Sequence, residues 1–268
     1  FRYMFISPED YVIGTCDYDA MEVSIFSQLA GHGILEEFIL EGKDMHCYTG
    51  TFIVDVLGAD YLEKIYNQWK EHDKFPLKNR REIRAFCEEA VANFDYDYFV
   101  KKKKEEDPFF KRLRDRAKFV NWRVLYGTTG FGLAKELKIE KEQGEELLDQ
   151  FFHKYPDVYK YMQRQERYAR ETGFVKTLLG RKKRIPQLTY TGNERRFAKN
   201  YSSYDIHNLK NSSFNAPVQG TSGQVTIIAM TKIWEEFKEK NLKSKVIINV
   251  HDEVVFLIHK NEAEIASE

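Results

Sequence analysis

Hydrophobic and polar positions change their period along this chain, and the changes divide it into elements. Residues 11–16, YVIGTC, form a short apolar run that predicts a buried strand. DAMEVSIFSQLAG follows with apolar residues at helical spacing and Gly31 as a stop. KDMHCYTGTFIVDVLG predicts a second helix ending near Gly58. Residues 59–110 are rich in charges and aromatics and predict helical segments plus an exposed charged loop at KKKKEEDP. That lysine run reads either as a solvated loop or as a nucleic-acid contact.

KRLRDRAKFVNWRVLYG predicts a strong helix through Tyr126, ended by Gly127. Helices are expected near 141–153 and 156–172, and GFVKTLLGRKKRIPQL predicts a hairpin with a basic turn. Residues 189–211 read as a polar loop, and a long helix is expected after Pro217. Last comes VIINVHDEVVF, residues 246–256, two apolar runs joined at His-Asp-Glu. Strands at both ends with helices between them predict an α+β fold. A small antiparallel sheet is assembled from both ends, around an inserted helical subdomain.

The strand junctions carry the first candidate chemistry. Polar residues are common in turns, but tight hairpin turns favour Asn-Gly or Asp-Gly, and VHDE has no glycine. Asp17 lies just past the first strand. If the sheet joins both chain ends, Asp17 and Asp252 can meet as a hard-oxygen site suited to Mg²⁺. Two such ions can stabilise the attacking and leaving oxygens of a phosphoryl displacement. Arg114, Lys118 and Trp122 recur every four residues, with Tyr126 continuing the stripe. Cations followed by aromatics suit a nucleoside triphosphate; a solvated helix face with two aromatics capping a core fits the same spacing. Asp19 and Glu22 fit a capping box.

Composition narrows the class. Hydrophobic residues make up 42% of the 268 and charged residues 31%, which fits a globular chain. No apolar run approaches the roughly 20 residues of a membrane span, and no secretory leader is visible. Cys16, Cys47 and Cys87 form no metal-type spacing and are expected to be reduced, in an intracellular (cytoplasmic) setting such as a nucleoid or viral replication site. Formal net charge is zero, which weighs against binding nucleic acid by charge alone while leaving room for local basic clusters.

DYDAMEV, RDRAKFVNWRVLYG and VHDE resemble motifs A, B and C of the family A DNA polymerases, the bacterial DNA polymerase I family. FISPEDYVIGTCDY, EGKDMH, TLLGRKKRIP and NAPVQGT are similar to that family as well. The resemblance implies a right-hand polymerase: a palm sheet over 1–45 and 205–268, and mostly helical fingers over 46–204 with motif B at 112–127. It implies a template-directed DNA polymerase core that adds dNTPs to a primer 3′-OH, in replication or repair. Its partners would be primer–template DNA and dNTPs, with no membrane, and it would work as a monomer.

Carried over residue by residue, Asp17 and Asp252 would hold two Mg²⁺ ions with the Tyr18 carbonyl, and Glu253 would lie beside them. Arg114 and Lys118 would grip the triphosphate, Lys118 also serving as a general acid. Trp122 would pack on the sugar, Tyr126 would guard the templating position, and Glu22 would exclude a ribose 2′-OH. His251, Asn215, Gln219 and Arg181 would contact DNA. Trp122 stands where the family usually has Phe or Tyr, Arg123 where it often has Gly, and Asn211 where it usually has Arg. Arg114 stands 68 positions after His46, far more than the family pattern, so the resemblance implies an insertion within residues 53–109. The thumb and the end of the palm are expected to lie outside these 268 residues. Alternatives are a thumb-less nucleic-acid-binding module and a single-subunit RNA polymerase relative; Glu22 and the intact His-Asp-Glu speak against the latter.

Overall fold

A computed structural model describes residues 6–70, 75–189, 201–250 and 253–267. The chain divides into two compact units. One is built from residues 1–29 and 164–268, the other from residues 30–163.

The first unit carries the sheet, in the order β1-β5-β4 and antiparallel throughout. Strand β1 (Tyr11–Cys16) pairs with β5 (Glu253–His259) from Tyr11↔His259 to Cys16↔Val254; it is a strand as expected but not a buried one, because it lies at the sheet edge and none of its residues is buried. Strand β4 (Lys245–Val250) lies on the other side of β5, with a bulge between Val246 and Ile248. The sheet thus joins the two ends of the chain, as the patterning predicts. One face of β5 packs against a helix: Phe237, Val254 and Phe256 form a buried cluster with Met230, Ile233 and Val246 against it. The basic hairpin is present as β2 (Phe174–Lys176) and β3 (Lys182–Arg184). Its inner residues Val175 and Ile185 join Ala169 and Leu188 in a second cluster.

Helix α1 (Met21–Ala30) starts one residue later than the capping-box spacing predicts. The Ala20 carbonyl accepts the first helical bond, from the Ser24 N–H, and Ala20 takes a left-handed φ of 50°. Ala20 therefore holds the cap position in place of Asp19, and Glu22 lies in the first turn. The long helix expected after Pro217 begins much earlier. It runs Ser203–Glu239 with Pro217 inside it, and is called α10 below. Its start is a capping box: Ser202 Oγ accepts from the Asp205 N–H at 3.1 Å, and Asp205 Oδ2 accepts from the Ser202 N–H at 2.8 Å. The part of the expected 189–211 loop that is described is thus mostly helix, because a strong cap upstream outweighs one proline.

The second unit is helical. Helix α2 (Ile34–Leu40) is short, and α3 (Met45–Trp69) runs past the stop expected at Gly58. Gly58 does break the geometry, with φ 63° and ψ −168°, a conformation open to glycine, but the helix resumes beyond it. It resumes because Tyr61, Leu62, Ile65 and Tyr66 all find buried places. Helices α4 (Arg80–Ala92), α5 (Tyr96–Lys104) and α6 (Pro108–Leu125) follow. The four lysines expected in a loop are the last turn of α5, where cations face the negative end of the helix dipole. Helix α7 (Gly130–Leu137), which the patterning did not signal, is capped by Thr129 Oγ1 accepting from the Gly132 N–H. Helices α8 (Lys141–Lys154) and α9 (Pro156–Thr172) match expectation, the latter continuing into the first unit.

The tract 53–109, described except for residues 71–74, is an aromatic-cored part of this helical unit. Tyr66, Phe75, Phe86 and Phe109 stack tilted or edge-on; around Phe110, Tyr98 and Phe99 lie edge-on and Phe94 is stacked near-parallel. Helix α5 sits so close to α3 that a Cβ on Gly50 would overlap the Phe99 ring, so only glycine fits there.

Candidate functional site

In the first unit, the strand register brings Asp17 and Glu253 to one end of the sheet. Cys16 and Val254 form the last β1–β5 pair, so Asp17 and Glu253 are the next residues at the same end of the sheet. Asp17 is exposed and Tyr18 is 38% exposed, whereas Glu253 is buried. Val250 pairs with Glu253, which leaves His251 and Asp252 as the two residues joining β4 to β5; both lie outside the described residues. Among the described residues no group of three or more His, Cys, Asp or Glu side chains could hold a metal ion. The oxygen groups that the described residues bring to this sheet end are the Asp17 and Glu253 carboxylates, beside the exposed Cys16 thiol.

Three elements of the same unit meet nearby. The Met21 sulfur accepts a hydrogen bond from Ser222 Oγ, fixing the start of α1, and with it Glu22, against α10. Asn215 and Gln219 lie one turn apart on α10, the first half-buried and the second exposed. The basic hairpin docks one residue further on: the Leu178 N–H donates to Thr221 Oγ1 at 3.1 Å, and Thr177 touches Gly220. Its turn is closed by Thr177 N–H to the Arg181 carbonyl and by Arg181 N–H to Thr177 Oγ1. Exposed Arg181 is thereby carried on a turn anchored beside Gln219.

In the second unit, Arg114, Lys118, Trp122 and Tyr126 form a stripe along α6 and its C-terminal cap, and all four are at least partly exposed. The opposite face, with Leu113, Ala117, Val120 and Val124, is buried. Trp122 and Tyr126 lie with ring centroids 5.9 Å apart. The stripe is therefore the outward face of a well-packed helix.

The patterning did not signal what holds this face. Asp44 caps α3 through Oδ1, which accepts from the His46 and Cys47 N–H groups. Its Oδ2 accepts from Arg114 Nε at 2.6 Å and Lys103 Nζ at 2.9 Å. Burial would raise the Asp44 carboxyl, but the bonds from Arg114 and Lys103 outweigh it and hold the group well below the usual carboxylate range. Beside it, burial and the Arg114 charge push His46 down to about 4, with Lys118 and Lys103 acting in the same direction. His46 is thus neutral at pH 7, and its Nδ1 faces the Asn121 amide at 2.8 Å.

Asn121 in turn accepts from Thr49 Oγ1 at 2.6 Å. Tyr155 Oη lies 3.1 Å from Thr49 Oγ1 and donates to the Met45 carbonyl at 3.2 Å. Thr49, Asn121 and Tyr155 are all fully buried. This polar chain pins α6 to the first turns of α3. The only sequence cue was the helix-start aspartate in KDMH; the long-range partners left none.

Comparison with known proteins agrees with these motifs. The model of DNA polymerase family A matches residues 99–268. The DNA polymerase I of Lactococcus lactis subsp. cremoris is 33% identical over 263 residues, covering 98% of this chain and 24% of its own length. That of Caldicellulosiruptor bescii is 34% identical over 156 residues, covering 58% of this chain and 17% of its own length. The chain therefore spans about a quarter or less of these relatives. Among solved structures, the POL domain of Pol1 from M. smegmatis, in complex with DNA primer-template and dNTP, matches with a TM-score of 0.67 and 22% identity, over 98% of this chain and 36% of that one. The α+β architecture described above is the one this fold likeness supports. With motifs A, B and C in order and a family match over more than half its length, the chain belongs to DNA polymerase family A.

Proposed function

We propose that this chain is the palm-and-fingers core of a template-directed DNA polymerase, which joins a dNTP to a primer 3′-OH and releases pyrophosphate. The observation that carries the reading is the β1–β5 register, which sets Asp17 at the same sheet end as Glu253, next in the chain to Asp252. Asp17, Asp252 and the Tyr18 carbonyl would hold two Mg²⁺ ions, which when bound supply charge stabilisation for the phosphoryl displacement. The chain's own part is positioning and electrostatics. Glu253 buttresses the carboxylate end of the sheet, and His251 bears on the primer terminus.

Helix α6 receives the incoming nucleotide. Arg114 and Lys118 bind its phosphates, Lys118 also donating a proton to the departing pyrophosphate; Trp122 packs on the sugar and Tyr126 guards the templating position. Glu22 excludes a ribose 2′-OH. Asn215, Gln219 and Arg181, grouped by the docking of the basic hairpin on α10, bind the primer–template. In this reading residues 1–45 and 205–268 are the palm and residues 46–204 the fingers, with residues 53–109 as an added helical lobe of the fingers; the compact units divide the chain elsewhere, at residues 29/30 and 163/164.

The test is primer extension with Mg²⁺ by the full parent protein and its Asp17→Ala and Asp252→Ala variants. Both variants are expected to lose extension while keeping primer–template affinity within a few fold. Near-normal extension by either would refute the assignment, and a preference for rNTPs over dNTPs would favour an RNA polymerase.

A further inference from the structure

We propose that Lys103, in the last turn of α5, is a third cation of the polyphosphate-binding face and contacts the triphosphate together with Arg114 and Lys118. This rests on the reading of α6 as the nucleotide-binding helix and adds to it a contact from the atypical tract 53–109.

The argument starts from Asp44. One of its oxygens, Oδ2, accepts from Lys103 and from Arg114 at once. The two cations therefore stand no further apart than two hydrogen bonds laid end to end, a spacing that neighbouring oxygens of a polyphosphate also span. Lys118 lies on the same helix face one turn beyond Arg114, and all three cations act on the same imidazole, His46. Against them, Asp44 is the one carboxylate that the Arg114 and Lys103 side chains are seen to share among the described residues. With His46 neutral, the group keeps net positive charge after that pairing. Lys103 is 39% exposed and Arg114 27%, so solvent and a ligand can reach both.

A purely structural role, tying α5 to α3, explains Lys103 less well, because that junction is already made twice. The Asp44 N–H donates to Tyr96 Oη at 2.9 Å, and the fully buried Phe99 ring lies against Gly50. The neighbouring lysine behaves differently: Lys102 pairs with Glu105 at 3.2 Å and lies over the Tyr98 ring. Of the two, only Lys103 is turned to Asp44. We infer that the Asp44 carboxylate stands where a phosphate oxygen would compete, keeping two like charges together until polyphosphate arrives.

Two readouts test this: calorimetric binding of inorganic tripolyphosphate to the chain, and the KM for dNTP in primer extension by the parent protein. Lys103→Gln is expected to weaken tripolyphosphate binding about tenfold and to raise KM similarly, with kcat little changed, as for lost uniform binding. Lys103→Arg should restore most of the affinity, and Lys102→Gln should change neither quantity. A melting curve unaltered in Lys103→Gln would show that docking of α5 is intact. If Lys103→Gln binds tripolyphosphate like the unmodified chain while Arg114→Ala loses it, Lys103 has no part in the site and the inference fails alone. If the unmodified chain does not bind tripolyphosphate, or Arg114→Ala binds it normally, both this inference and the assignment of α6 fall.

Discussion

Replacing Thr49 by Val tests whether the buried chain from Met45 to His46 holds α6 against α3. The two side chains have nearly the same volume, so no cavity forms; only the hydroxyl is lost. That hydroxyl donates to Asn121 Oδ1 at 2.6 Å and meets Tyr155 Oη at 3.1 Å. Since the Thr49 proton goes to Asn121, the Tyr155 hydroxyl is the donor toward Thr49, and its proton is shared with the Met45 carbonyl. Thr49→Val leaves Asn121 Oδ1 buried without this donor, a cost of about 2–3 kcal/mol. Tyr155→Phe removes only the shared bond and should cost about 1 kcal/mol. The double variant should cost less than the two singles together, by about 0.5–1.5 kcal/mol, because both delete the same contact. The assay is urea unfolding followed by tryptophan fluorescence in a Trp234→Phe background, so that Trp69 and Trp122, both in the helical unit, report it. A Thr49→Val cost below about 0.5 kcal/mol, or strictly additive singles, would refute the network as a support of α6.

Other outcomes follow from the same geometry. His46, at about 4, refuses a proton that the unfolded chain takes up near 6.5. Stability is therefore fully kept above about pH 6.5 and declines toward pH 4, by about 2–3 kcal/mol; urea midpoints at the two pH values should show this decline in the unmodified chain and a much smaller one in His46→Gln. Glu22→Ala should raise ribonucleotide incorporation; unchanged rNTP/dNTP discrimination would remove the sugar-gate role. Trp122→Tyr should alter discrimination against dideoxynucleotides in chain-terminator assays, and no change there would separate Trp122 from the sugar.

What was legible in the sequence was what depends on neighbours in the chain. Alternating and continuous apolar runs marked β1, β4 and β5, and the position of Asp17 past one strand and His-Asp-Glu between the others led to a shared sheet end. The stripe on α6 was legible because four-residue spacing survives any tertiary context. The lysine run misled because charge suggested solvent, while the helix there is set by Asp95, whose Oδ1 accepts from the Tyr98 N–H, and by burial of Phe99. Pro217 misled similarly, since a distant cap at Ser202 decided where α10 begins. The Asp44 hub was hidden for a different reason. Its partners are 59 and 70 residues away, and no local period encodes a pairing across that distance.

The sheet that joins the chain's two ends also sets a timetable for synthesis. Strand β1 leaves the ribosome long before β5, its one partner in the sheet among the described residues. At about 5–20 residues per second, β1 waits on the order of ten seconds to a minute with an unpaired edge. The helical unit, whose elements are contiguous in sequence, can fold in that interval. Helix α6 would then be finished before the β1–β5 pairing exists. During that wait YVIGTC is an exposed apolar strand, the kind of segment that chaperones cover and that aggregates when they do not.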